Sequence, residues 1–85
     1  MAIHEHQYTV VFEAAEEGGY VVTCPALPGL VTEGDTIEEA RAMAAEAIRG
    51  YLESLAKDGL TAPLEGPQPR SRSIMETITV AVEGV

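Results

Sequence analysis

Residues 7–13 alternate with period two. Tyr8, Val10 and Phe12 fall on one side, Thr9, Val11 and Glu13 on the other. Aromatic and β-branched residues in that pattern predict a strand. Residues 14–19, AAEEGG, supply the glycines of a turn. Residues 20–24, YVVTC, read as a second strand that closes a hairpin with the first, and Pro25 ends it by removing a backbone donor. Pro28-Gly29 fits a tight turn, with Gly29 free to adopt positive φ, before a short third strand over residues 30–33. The period then changes. Ile37, Ala40, Ala44, Ala47, Ile48, Tyr51, Leu52 and Leu55 form one apolar stripe at helical spacing. Thr36-Ile37-Glu38-Glu39 matches a capping box: Thr36 accepts from the Glu39 amide, and the Glu39 carboxylate reaches back to Thr36. Asp58-Gly59 ends the helix, Gly59 being the left-handed residue. Inside it, Gly50 costs about 1 kcal/mol, which close contact with the sheet would explain. Residues 75–82 alternate again, with Ile78, Val80 and Val82 on one side, and make a last strand.

These elements define a single α+β domain over residues 1–85. Residues 1–6 are expected as a frayed tail, and residues 60–73, with Pro63, Pro67 and Pro69, as a loop. The order is β-β-β-α-β. With the helix as a crossover, the fourth strand runs parallel to the first and beside it, giving a four-stranded mixed sheet of order 3-2-1-4 with one long helix on one face. The uncovered face would carry Val11, Val21 and Ala81 among Thr9, Thr23 and Thr79. That is too apolar for comfortable exposure, so self-association through this face or an edge strand is expected, as a dimer or tetramer.

Charge narrows the function. The net charge is −9, and residues 1–40 contain no Lys or Arg but eight acids: Glu5, Glu13, Glu16, Glu17, Glu33, Asp35, Glu38 and Glu39. Residues 41–85 carry five bases against six acids. Nucleic-acid binders need cations to displace counterions from phosphates, and this first half repels phosphate. It suits encounter with a basic partner, or solubility alone. No apolar run is long enough to span a membrane and no signal-peptide pattern opens the chain. The lone Cys24 has no internal disulfide partner, so a cytoplasmic location is expected.

Candidate chemistry is sparse. His4 and His6 could ligate a metal but lack a third ligand in sequence. Cys24 has no neighbouring base to activate it and reads as a packed thiol. Glu13, Glu33, Asp35, Glu38 and Glu39 could in principle hold two metals on a ribonuclease-H-like frame. However, Asp35, Glu38 and Glu39 are already accounted for by the helix cap and dipole. No phosphate loop, CxxC pair or GxSxG elbow is present.

Residues 24–59, CPALPGLVTEGDTIEEARAMAAEAIRGYLESLAKDG, resemble the HicB family of antitoxins. The shared pattern is a P-x-L-P-G turn, a short strand ending G-D-T, and a helix of the E-E-A…A-x-E-A-I…L kind closing near D-G. Pro25, Leu27, Pro28, Gly29, Gly34, Asp35, Thr36, Glu38, Glu39, Ala40, Ala47, Ile48 and Leu52 fit it. The stretch YTVVFEAAEEGGYVVTCPALPG is similar to the family as well, so the match spans most of residues 8–60. The resemblance implies a degenerate ribonuclease-H-like fold without catalysis. It also implies a module that binds and neutralises a small basic HicA-type toxin that cuts messenger RNA. Glu13, Glu16, Glu33 and Asp35 are then the candidate partner-binding residues, with Thr36 and Glu39 as helix-capping residues. No catalytic residue, metal or cofactor is expected. Many HicB proteins add a C-terminal DNA-binding motif; after Gly59 this chain offers a loop and one strand, so no direct DNA binding is expected. Two other readings stay open: a stand-alone oligomeric domain, and a metal-dependent nuclease.

Overall fold

The computed structural model describes residues 3–64 and 74–83. It contains β1 (Ile3–Ala14), β2 (Tyr20–Thr23), β3 (Val31–Gly34), α1 (Ile37–Lys57) and β4 (Ile74–Glu83). The four strands form one sheet of order β3-β2-β1-β4, as expected. Two expectations are overturned. Residues 3–6 are not a tail: β1 begins at Ile3, which pairs with Glu83 of β4. And β4 runs antiparallel to β1, so every pairing is antiparallel and the sheet is not mixed.

The direction of β4 does not follow from where α1 ends. α1 starts next to Gly34, and its Tyr51 hydroxyl donates to the Pro28 carbonyl (3.2 Å) at the opposite end of the sheet. β4 nevertheless begins opposite Phe12, at the Gly34 end. The chain therefore makes two passes after β3, one as helix and one between Lys57 and Ile74. Those 16 residues can reach up to about 50 Å, ample for the return. Where the return begins, the Tyr8 hydroxyl donates to the Pro63 carbonyl (2.6 Å). From residue 65 the expected loop lies outside the described residues.

Tyr8, Val10, Phe12, Val22, Ile78, Val80 and Val82 face α1 and are buried against Ala40, Ala44, Ile48 and Leu52. The four helix residues recur every fourth position, which stacks them on one face. Two consecutive turns build the corner after β2. The Leu27 amide donates to the Cys24 carbonyl, and the Leu30 amide to the Leu27 carbonyl. In the second, Pro28 is followed by Gly29 at φ 85°, the combination a type II turn requires. Cys24, Leu27 and Leu30 are buried, so this corner closes the core. The face of the sheet away from α1 is less apolar on its surface than expected. Val11 and Thr9 are only 4% exposed, and exposed positions there include Thr77, Thr79 and Ala81.

Helix ends are well defined. At the start, the Thr36 hydroxyl accepts from the Glu39 amide (3.1 Å). Among the described residues this is the half of the capping box that forms. At the end, the Gly59 amide donates to Ala56 and the Leu60 amide to Leu55, with Gly59 at φ 70°, the Schellman arrangement. The close approach expected of Gly50 occurs at Gly34 instead. A Cβ on Gly34 would lie 2.7 Å from Ala40 Cα and 2.9 Å from the Glu39 carbonyl carbon, and against the Ala40 nitrogen. All are backbone atoms and cannot swing aside. Nothing lies within 4 Å of a Cβ on the exposed Gly50.

The two glycines should respond oppositely to alanine. Gly34→Ala is expected to destabilise by about 1–3 kcal/mol through overpacking. Gly50→Ala should stabilise by about 0.5–1 kcal/mol, since no tertiary contact demands glycine there. Urea denaturation of the two variants against the wild type measures both; equal destabilisation would contradict the close packing of α1 on Gly34.

Candidate partner-binding site

The β1–β2 turn, the end of β3 and the start of α1 meet at one end of the sheet. The Gly18 amide donates to the Ala15 carbonyl and the Ala15 amide to the Gly19 carbonyl, which folds Glu16 and Glu17 outward on the turn. Gly19, at φ 79°, abuts β3: a Cβ there would sit 2.8 Å from the Gly34 carbonyl oxygen. The turn, β3 and α1 are thus held together backbone to backbone. Between them lies a shallow groove of about 410 Å³ lined by Glu17, Glu33, Asp35 and Glu39, with Tyr20 and Met43 as its larger nonacidic side chains.

Two of the four predicted partner-binding residues, Glu33 and Asp35, line this groove. Glu13 does not. It is exposed on the face away from α1, in one row with Val21 and Glu33, so Glu13 and Glu33 flank β2 about 10 Å apart. Glu16 is exposed on the turn, and its neighbour Glu17 is the one that lines the groove. Sequence reasoning missed Glu17 as a lining residue because the adjacent glutamates are equivalent until the turn geometry is known. It assigned Glu39 to the cap alone. The Glu39 amide does bond Thr36, while the residue also borders the groove.

The sequence asymmetry is therefore a spatial one: Glu13, Glu16, Glu17, Glu33, Asp35, Glu38 and Glu39 all lie at this end. None of them is in an ion pair among the described residues. The nearest cation in sequence, Arg41, turns to β4. Its Nε and second guanidinium nitrogen donate to the two carboxylate oxygens of Glu76 at 2.9 and 3.0 Å. That hydrogen-bonded pairing, with the charge of Glu76 and more weakly of Glu38, raises the Arg41 pKa above its usual value. The positive end of the α1 dipole offsets part of the repulsion among the acids around it. The arrangement repels phosphate and attracts cationic groups.

Metal chemistry finds no ligand set. Among the described residues no three His, Cys, Asp or Glu side chains are grouped to hold an ion. His4 and His6 lie on β1 opposite Val82 and Val80, and the His6 ring stacks on Tyr8 with centroids 6.3 Å apart. Cys24 is buried in the core. No described helix is long and apolar enough to cross a membrane.

Residues 8–79 match the family described as "HicB_like antitoxin of bacterial toxin-antitoxin system". The chain belongs to this family. A UPF0150 protein of Thermoplasma acidophilum is 45% identical over 62 residues, covering 73% of this chain and 90% of that one. The antitoxin HicB 1 of Photorhabdus laumondii is 43% identical over 65 residues, covering 76% of this chain but 42% of the antitoxin. This HicB-like chain thus spans less than half of that antitoxin. Its fold is similar to the N-terminal domain of the Burkholderia pseudomallei antitoxin HicB, with a TM-score of 0.75 at 22% identity over 85% of this chain and 94% of that domain. It is also similar to a chain of the HicA3 and HicB3 toxin-antitoxin complex, with a TM-score of 0.65 at 20% identity over 91% of this chain and 98% of that one.

If like charges are crowded at one end, salt must relieve them. The thermal midpoint is expected to rise on going from low to physiological ionic strength, because the Debye length shrinks to about 8 Å. Glu33→Gln should flatten that dependence. Scanning calorimetry across a salt series checks it, and a midpoint that falls with salt would contradict the charge distribution.

Proposed function

We propose that this HicB-like domain is a protein-binding antitoxin module that grips a small basic HicA-type toxin through its acidic end and performs no catalysis. The observation that carries this reading is the groove itself: four carboxylates around a shallow depression, without neutralising side chains among the described residues. A toxin that handles RNA must present cations to phosphates, and those cations match this end. Family membership, and the likeness to a chain from a toxin-antitoxin complex, support the same reading.

Glu33 and Asp35 are proposed as direct contacts, with Glu13 and Glu16 on the rim. The β-β-β-α-β order also suits a degenerate ribonuclease-H-like frame, in which the sheet and helix are kept as a scaffold for binding. With no grouped ligand set among the described residues, the acids act as a charged surface.

Co-expression with a HicA-type toxin tests the reading: growth should be rescued, and the purified pair should associate without turnover of RNA. Paired reversal of Glu33 and Asp35 to Lys is expected to slow association by at least tenfold at low salt and to flatten its salt dependence, with a smaller effect on dissociation. Stopped-flow or surface-based kinetics separates the two rates. Absence of rescue with any HicA-type partner, or rescue indifferent to the reversals, would overturn the assignment.

A further inference from the structure

β3 is the outer strand beside the acidic groove, and among the described residues it pairs only with β2. An antiparallel strand alternates its backbone groups between its two sides, so about half of the N–H and C=O groups of β3 point away from β2. None of the turn and loop hydrogen bonds among the described residues reaches residues 31–34. Proteins guard such edges with Lys, Pro, bulges or inward charges. β3, VTEG, has no Lys or Pro, and its register with β2 is unbroken. On the face away from α1 it presents Val31, 64% exposed, and Glu33, also exposed. Glu33 closes the row that runs from Glu13 through Val21, so among the described residues this row is open on its outer side.

We infer that β3 is a docking edge that takes one extended, cation-bearing strand of a basic protein partner, antiparallel to itself, as a fifth strand of the sheet. Charge selects the occupant. A strand laid beside β3 places one residue directly across from Glu33, with Cβ atoms about 5 Å apart, close enough for an ion pair. Glu17, Asp35 and Glu39 line the groove at the same end, so an acidic residue there is repelled and a Lys or Arg is held. Two residues along, the same face of the added strand meets Val31, which favours an apolar side chain. Every pairing in this sheet is antiparallel, and that ladder is slightly the more stable per residue. The partner strand then reads, in its own direction, a Lys or Arg, any residue, and an apolar residue. Backbone bonds to so short an edge are few, so these two side-chain pairs set the register. The inference deepens the toxin-binding reading and rests on it for the identity of the partner, whereas the strand chemistry is read from β3 itself.

Hydrogen exchange followed by NMR tests the edge in the complex with a HicA-type toxin. The β3 amides that exchange freely in the chain alone should slow by about tenfold or more on binding. A second measurement needs no toxin: titration of the full chain with a short amidated peptide of threonines carrying one lysine and, two positions later, one valine. It should shift the amide resonances of residues 31–34. A peptide of the same composition with valine before lysine should bind about threefold more weakly, as should the first peptide to the Glu33→Gln variant. β3 amides that stay exposed in a formed complex, or a lysine peptide that leaves residues 31–34 unmoved at millimolar concentration, would overturn the proposal. A peptide that adds to β3 while no HicA-type toxin associates would uphold the edge and count against the toxin reading alone.

Discussion

The start of α1 rests directly on the end of β3, and that contact organises the rest of the molecule. It is a backbone contact. Gly34 leaves no room for a side chain between itself and Ala40, and Gly19 leaves none between itself and Gly34. The β1–β2 turn, the end of β3 and the first turn of α1 are stacked with almost nothing between them. The stack fixes the angle at which the helix departs, so Ala44, Ile48 and Leu52 follow Ala40 along the sheet. It also fixes what surrounds the contact. The residues beside the glycines, Glu17, Glu33, Asp35 and Glu39, have no way into the junction and fan out around it. The acidic groove is a by-product of this close backbone packing.

That origin explains how so much like charge is tolerated. The acids stand where the backbone field is most positive, at the first turn of a 21-residue helix. They are solvated and screened, and the groove is open. Such a surface can steer a cationic protein toward itself at long range. The proposed binding role of this end rests on geometry and charge together.

Much of this was legible in the residues. The Thr36 cap, Gly59, and the positive φ of Gly29 follow from local chemistry that tertiary structure seldom overrides, and the order β3-β2-β1 followed from short connections, while β4 was placed beside β1 by a crossover argument whose parallel direction the structure overturns. What was illegible depended on distance. The direction of β4 turns on whether the segment after the helix stays put or returns, and sequence spacing permits both. Residues 3–6 gain strand structure only because β4 lies beside them, with Val80 and Val82 opposite His6 and His4. Gly50 and Gly34 look alike as interruptions, yet only Gly34 faces backbone. The candidate acids were found as a group because charge asymmetry is a composition signal. Which of them line the groove was set by a turn whose conformation the glutamate pair does not encode.

The sheet order has a further consequence. β1 lies between β2 and β4, so the groove at the β3 side and the β4 edge are separated by the width of the sheet. The groove and the proposed β3 docking edge draw on different physics: the groove on charge, which acts at a distance and weakens with salt, and the edge on backbone hydrogen bonds, which act only in contact and in one register. α1 and β1 both link the two sides: Glu39 borders the groove while Arg41, two residues on, holds Glu76 of β4, and β1 touches both the hairpin turn and β4. β1, at 12 residues the longest strand among the described residues, separates the groove side of the sheet from β4.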